Sequence, residues 1–109
     1  MLIINAENFE EEIKKGEQPM IIDLWGPSCQ PCLALMPDVE ALANEYSGKI
    51  RFGKINVAEN RRLCINLKVM GVPTFLFYKG GEQQERLTGD QVTMEAIRAG
   101  AQRLLSSKA

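Results

Sequence analysis

The run Met20-Ile21-Ile22-Asp23-Leu24-Trp25 is apolar at every position but one, which predicts a strand covered on both faces rather than one with a wet side. Leu2-Ile3-Ile4 before it is a short first strand. Between them Phe9 and Ile13 stand four apart, the spacing of a helix face. Asn5 or Asn8 can cap that helix, which should run to about Lys15 with Gly16 as its stop. Residues 30–46 carry Cys32, Leu35, Met36, Val39, Ala43 and Tyr46 as one apolar helical stripe, ended by Ser47-Gly48. Pro37 lies inside this helix and should kink it. Residues 50–57 form a third strand, and residues 60–67 a short helix with Leu63, Cys64 and Leu67 on one face. Thr74-Phe75-Leu76-Phe77-Tyr78 is an aromatic-rich strand, and Gly80-Gly81 is a hairpin signal leading into a strand through about Leu87. The last helix covers residues 92–105, with Met94, Ile97, Ala101, Leu104 and Leu105 inward. Gly100 within it should weaken it by about 1 kcal/mol relative to Ala.

The element order β-α-β-α-β-α-β-β-α predicts an α/β fold with right-handed crossovers and a sheet between layers of helices. Strands joined by a two-residue turn run antiparallel, so the closing hairpin makes the sheet mixed. The chain has 109 residues with no linker, repeat or low-complexity tract, which fits one domain over 1–109.

Composition removes several function classes. Lys and Arg number 13 against 14 Asp and Glu, so there is no basic excess for nucleic acid. Glu10-Glu11-Glu12 followed by Lys14-Lys15 reads as the solvated face of a helix. Histidine is absent, which removes Ser/His/Asp and Cys–His hydrolysis and imidazole-based zinc sites. No Gly-rich phosphate loop is present. No stretch has the length to span a membrane, and Met1-Leu2-Ile3-Ile4-Asn5-Ala6-Glu7 lacks the basic start of a secretory signal. Three cysteines do not make a disulfide scaffold, so a reducing, cytoplasmic setting is the simplest expectation.

The chemistry concentrates at Cys29-Gln30-Pro31-Cys32, which opens a helix directly after the apolar strand. Thiols at this spacing can close a small disulfide ring and reopen it. Unpaired backbone N–H groups and the positive end of the helix dipole favour a thiolate at the first sulfur, and the thiolate is the reactive form of cysteine. Asp23 sits in an otherwise apolar strand, where burial should raise its pKa and suit it to exchange a proton near neutral pH. Cys64 shares a helical face with leucines and reads as a small buried hydrophobe rather than a regulatory thiol.

Taken in order, Asp23-Leu24-Trp25-Gly26, Cys29-Gln30-Pro31-Cys32, Pro37, Lys54-Ile55-Asn56, Gly71-Val72-Pro73-Thr74, Gly80-Gly81-Glu82 and Gly89 resemble the thioredoxin family over essentially the whole chain. The resemblance implies a thioredoxin fold, with a central mixed five-stranded sheet flanked by four helices. It implies a thiol–disulfide oxidoreductase that reduces protein disulfides with no cofactor beyond a Cys29–Cys32 disulfide. Cys29 would attack the target, and Cys32, one turn deeper, would resolve the mixed disulfide. Asp23 would serve as the base for Cys32, with Lys54 beside it opposing the upward pKa shift. Val72-Pro73 resembles the family's cis-proline loop. It would face Cys29 and offer Val72 backbone groups to an extended substrate, with Trp25 and Gly89 on the same surface. The implied partners are disulfide-containing proteins and a thioredoxin reductase, flavin- or ferredoxin-dependent, acting on a monomer.

Two positions depart from the family pattern: Gln30 stands where Gly is usual and Ser28 where Trp is usual. They predict a shifted potential or altered target preference. Bland readings stand beside the functional ones. Asp23 and Lys54 could be a structural pair or reach solvent at strand ends, Pro73 could be trans, and Trp25 could be a packing residue, while Met70 beside the loop is either adaptable apolar contact surface or a gap filler. A binding or chaperone-like module with idle thiols is the alternative function. A metal site on Cys29, Cys32 and Cys64 has too few ligands unless a dimer completes it.

Overall fold

The structure is a computed structural model that describes residues 1–15 and 17–106; the stop expected at Gly16 lies outside the described residues. Its elements are β1 (Leu2–Ile3), α1 (Phe9–Lys14), β2 (Met20–Trp25), α2 (Gln30–Glu45), β3 (Arg51–Asn56), α3 (Arg61–Asn66), β4 (Thr74–Lys79), β5 (Glu82–Thr88) and α4 (Met94–Ser106). Two short 3-10 turns, Val57–Glu59 and Gly89–Gln91, were not predicted by the sequence pattern. The strands form one mixed sheet in the order β1-β3-β2-β4-β5. β1, β3 and β2 run parallel, and β4 and β5 run antiparallel to their neighbours.

The strand-length alternation of side chains divides the interior into two apolar clusters. Met20, Ile22 and Leu24 of β2 join Ile55, Leu76 and Tyr78 under Phe9 of α1 and Leu63 and Cys64 of α3. On the other face Ile21 joins Phe52, Phe75 and Phe77 under Val39 and Leu42 of α2 and Ile97, Ala101 and Leu104 of α4. β2 is central and covered on both sides, which is why its sequence shows no polar face. Asp23 and Trp25 share the Ile21 side of the strand, the side turned toward α2.

Several expectations shift by a residue or two. Ile4 lies beyond β1 but is fully buried, and its N–H continues the ladder by donating to the Lys54 carbonyl at 2.9 Å. Asn5 and Asn8 act together at the start of α1. The Asn5 N–H donates to Asn8 Oδ1 at 2.8 Å and the Asn8 N–H to Asn5 Oδ1 at 3.0 Å. α2 runs continuously through Pro37. Its buried stripe contains Leu42, which the sequence pattern passed over, while Met36 is only half-buried and outside both clusters.

The expectation for Leu105 is corrected. It is 42 % exposed, because Leu104 points into the sheet and the next residue lies a further 100° around the helix. α4 begins at Met94 rather than Val92, with the Thr93 hydroxyl accepting from the Ala96 N–H at 3.0 Å as an N-cap does. Its outer side is tied to α2 by the Arg98–Glu45 ion pair at 2.5 Å.

Gly100 has a packing role that the propensity argument missed. A Cβ there would lie 2.5 Å from Cε2 and 2.8 Å from Cζ of the fully buried Phe77 ring. The missing side chain lets α4 settle directly on β4. Gly100→Ala is therefore expected to destabilise the protein by about 1–3 kcal/mol, despite Ala's better helix propensity. Urea unfolding of the variant checks this, and a gain in stability would show that Phe77 yields freely.

Candidate active site

β2 delivers the chain to the site through buried Gly26 and exposed Pro27-Ser28, a turn in which the Cys29 N–H donates to the Gly26 carbonyl at 3.0 Å. Cys29 then caps α2: its Sγ accepts the Cys32 N–H at 3.2 Å. Pro31 falls in the first turn, where a missing N–H costs no helix hydrogen bond. Cys29 and Cys32 are joined as a disulfide with their Cα atoms 5.3 Å apart. Cys29 is partly exposed and Cys32 is buried, so the two sulfurs differ in access although they share a turn.

Asp23 is only 2 % exposed, so the reading that it reaches solvent at a strand end fails. Burial pushes its carboxyl up from 3.8 to about 7, against the smaller opposing pull of the Lys54 ammonium. The register places Asp23 directly across from Lys54 on β3 and Phe75 on β4. Half-buried Lys54 reaches on over the Trp25 ring, with Nζ 6.0 Å from its centroid. Trp25 Nε1 is buried and has no hydrogen-bond partner among the described residues.

The peptide bond between Val72 and Pro73 is cis. Its loop is held from three directions. The Thr74 hydroxyl donates to the Gly71 carbonyl at 2.7 Å, and the Gly89 N–H donates to the Pro73 carbonyl at 3.0 Å. Behind it, α3 ends in a reciprocal pair of bonds, Val69 N–H to Cys64 O at 2.9 Å and Lys68 N–H to Ile65 O at 3.0 Å. Lys68 takes the left-handed conformation (φ 59°) that this helix end requires and that glycine usually supplies. Arg86 of β5 clamps the same end by donating to the Leu67 carbonyl at 2.6 Å and the Lys68 carbonyl at 2.8 Å.

Gly26 brings the loop and the thiols together. A Cβ at Gly26 would lie 3.6 Å from Val57, 3.7 Å from Val72 and 3.9 Å from the Cys29 Cβ, so Cys29 and Val72 flank one glycine. The structure thus gathers Cys29, Cys32, Val72, Pro73 and Gly89 at one end of the sheet, with Asp23, Lys54 and Trp25 beneath. Sequence reasoning missed Arg86 and Lys68. An arginine in an edge strand and a lysine after a helix carry no local sign of binding carbonyls or of positive φ.

The thioredoxin family profile matches residues 1–103. The chain is 44 % identical over 96 residues to a thioredoxin of Peptoclostridium acidaminophilum, covering 88 % of this chain and 87 % of that protein. It is 35 % identical over 99 residues to the thioredoxin of Acetoanaerobium sticklandii, covering 91 % and 94 %. A chloroplastic M-type thioredoxin of Spinacia oleracea is 36 % identical over 86 residues, covering 79 % of this chain and 48 % of its own.

The chain belongs to the thioredoxin family. As a thioredoxin-family protein with its cysteine pair at disulfide distance, it is a disulfide reductase that works by thiol–disulfide exchange. Its redox group is the Cys29–Cys32 disulfide, a part of the chain itself. Its partners are disulfide-bearing proteins and a thioredoxin reductase. Among the described residues no cluster of three metal-ligating side chains converges, and no helix is long and apolar enough to cross a membrane. Cys64 is buried among apolar side chains, and burial pushes its thiol up, so its environment is that of a core residue.

Proposed function

We propose that Cys29 is the attacking sulfur, Cys32 the resolving sulfur and Asp23 the proton acceptor for Cys32. The observation that carries this reading is the contrast within one helical turn: a partly exposed sulfur at the N-cap, accepting a backbone N–H, and a buried sulfur below it. In the reduced protein the Cys29 thiolate attacks one sulfur of the target disulfide. A Cys29–target S–S bond forms, and the other target sulfur leaves as a thiolate that takes up a proton. Cys32 then gives its proton to Asp23 and attacks Cys29 Sγ. The mixed disulfide breaks, the Cys29–Cys32 bond forms, and the second target thiolate departs. Two electrons have passed from the protein to the target.

A carboxyl with a pKa near 7 is matched to that proton transfer at neutral pH. Lys54 is a positioning residue, holding Asp23 partly toward its charged form. Trp25 covers the disulfide, and Val72, Pro73 and Gly89 form the edge on which an extended target segment lies. We place this cycle in the cytoplasm, in a one-domain monomer that is re-reduced by a flavin- or ferredoxin-dependent reductase.

Two measurements test the reading. Titration in a glutathione redox buffer should show one reversible two-electron transition, located by mass spectrometry at Cys29 and Cys32. Insulin reduction driven by dithiothreitol should accelerate with catalytic amounts of the protein. An intact redox transition without insulin turnover would favour the binding-module reading.

A further inference from the structure

Two adjoining depressions lie on either side of the Val72–Pro73 loop and share Met70, Gly71 and Val72 as their common wall. One, of about 340 Å³, is bounded by Val57, Arg61 and Ile65; the other, of about 430 Å³, by Lys68, Arg86, Thr88 and Gly89. Together they make a channel that runs past Val72, which Gly26 separates from Cys29. Large apolar side chains stand open along it, with Met70 96 % and Ile65 72 % exposed. Its charged lining has one sign: Arg61, Lys68 and Arg86, with no carboxylate in either depression.

None of these three cations takes part in an ion pair among the described residues. Arg86 spends its donors on carbonyls and the Gln83 amide oxygen, which leaves its charge uncompensated. Glu85 adjoins Arg86 in sequence but is paired with Arg103, and Glu59 and Asp90 sit in the flanking 3-10 turns outside both linings. The protein as a whole is close to neutral, so this is a local excess at the mouth of the site.

We infer that this channel selects targets whose disulfide lies in an extended apolar segment with acidic side chains on both sides of the attacked cysteine. The inference rests on the reductase reading and adds the class of target. Main-chain pairing with Val72 is indifferent to sequence, so discrimination falls to the side chains that reach the two depressions. There, a target carboxylate meets an unpaired cation, whereas a target lysine meets only like charge. The cations sit at a half-open surface, so the preference acts mainly on encounter and fades with salt.

The test uses three otherwise identical peptides. Each has one cysteine held as a mixed disulfide with mercaptoethanol and flanked on both sides by Glu, Gln or Lys. Second-order rates of reduction by the dithiol protein are divided by those for free dithiothreitol, which removes the peptides' intrinsic reactivity. Hydroxyethyl disulfide, small and uncharged, reports the reductase itself. At low salt the Glu peptide should react about tenfold faster than the Lys peptide, and the gap should shrink to about twofold near 0.2 M salt. The Arg61→Glu, Lys68→Glu double variant should reverse the order. Should the pair fail to fold, Arg61→Glu alone carries the test by narrowing the preference, because a carboxylate suits the first turn of α3.

Equal normalised rates at low salt, with hydroxyethyl disulfide still reduced, would overturn the inference and leave the reductase standing. A Glu preference unchanged in the folded variants would overturn it as well. A protein that reduces none of the four substrates would take down the reductase reading and this inference together.

Discussion

Asp23→Asn is expected to raise the unfolding free energy at pH 8 by about 3–4 kcal/mol while slowing disulfide reduction. Asp23 is 2 % exposed, and its carboxyl is held up near 7 by burial, with Lys54 only partly offsetting that push. In the unfolded chain the same group loses its proton near 3.8. Between those values the folded state binds a proton that the unfolded state has released, so stability falls as pH rises through the window. Below it the group costs nothing; above it the full penalty of a buried carboxylate applies. A shift of that size corresponds to about 4 kcal/mol at 1.36 kcal/mol per unit, an upper figure because buried sites relax.

Asn has the size of Asp and cannot ionise, so the variant's stability should be flat where the wild type declines. Urea unfolding from pH 4 to pH 9 checks this, and parallel curves for the two proteins would contradict the buried-carboxylate account. Loss of the proton acceptor should slow resolution by Cys32 by on the order of a hundredfold or more near neutral pH. In the proposed cycle the group that weakens the fold is also the one that accepts the proton in the second step, a common trade at active sites.

The two single cysteine variants should fail in different ways. Cys29→Ser removes the only accessible sulfur of the pair and is expected to cut insulin reduction at least about a thousandfold. Cys32→Ser leaves the attack intact but removes resolution, so the protein should accumulate covalently joined to its target through Cys29. Mass spectrometry after mixing with an oxidised substrate distinguishes the two, because an adduct at residue 29 should form only with Cys32→Ser. Ordinary turnover by Cys32→Ser would refute the division of roles drawn from the burial of the two sulfurs.

Period and punctuation located nearly every regular element: apolar runs announced β2 and β4, one-sided stripes the helices, and a glycine turn the polar strand β5. β2 was readable from its composition alone, and the hairpin from Gly80-Gly81, both of which adopt positive φ. Errors arose where a neighbour across the fold decided the outcome. Gly100 looked like a flaw in a helix until the Phe77 ring was seen to fill the space its side chain would need. Leu105 looked inward because a leucine matched the stripe, but Leu104 had already taken the sheet-facing position. Lys68 in a left-handed turn and Arg86 gripping two carbonyls depend on tertiary geometry that no local pattern encodes.

The thiols and Asp23 stood out by residue type, as a close cysteine pair and an acid in an apolar strand, whereas Lys54 and the proline loop were legible only through the resemblance to the thioredoxin family. Of the channel, Met70 was legible as apolar surface beside the loop; the grouping of Arg61, Lys68 and Arg86 was not, because Arg86 lies on β5 and reaches the end of α3 only in the folded protein.

The clamp of Arg86 on the end of α3 reads main-chain oxygens and not side chains. The side chains at 65 and 70 consequently project from a backbone secured by other means, whereas Lys68, at φ 59°, holds the left-handed turn and admits few substitutes beyond Gly and Asn. A proline-free combinatorial library at 65 and 70 should stay folded while its members diverge in which clients they serve. The region is a ready-made cassette for retargeting the reductase without redesigning its electron chemistry.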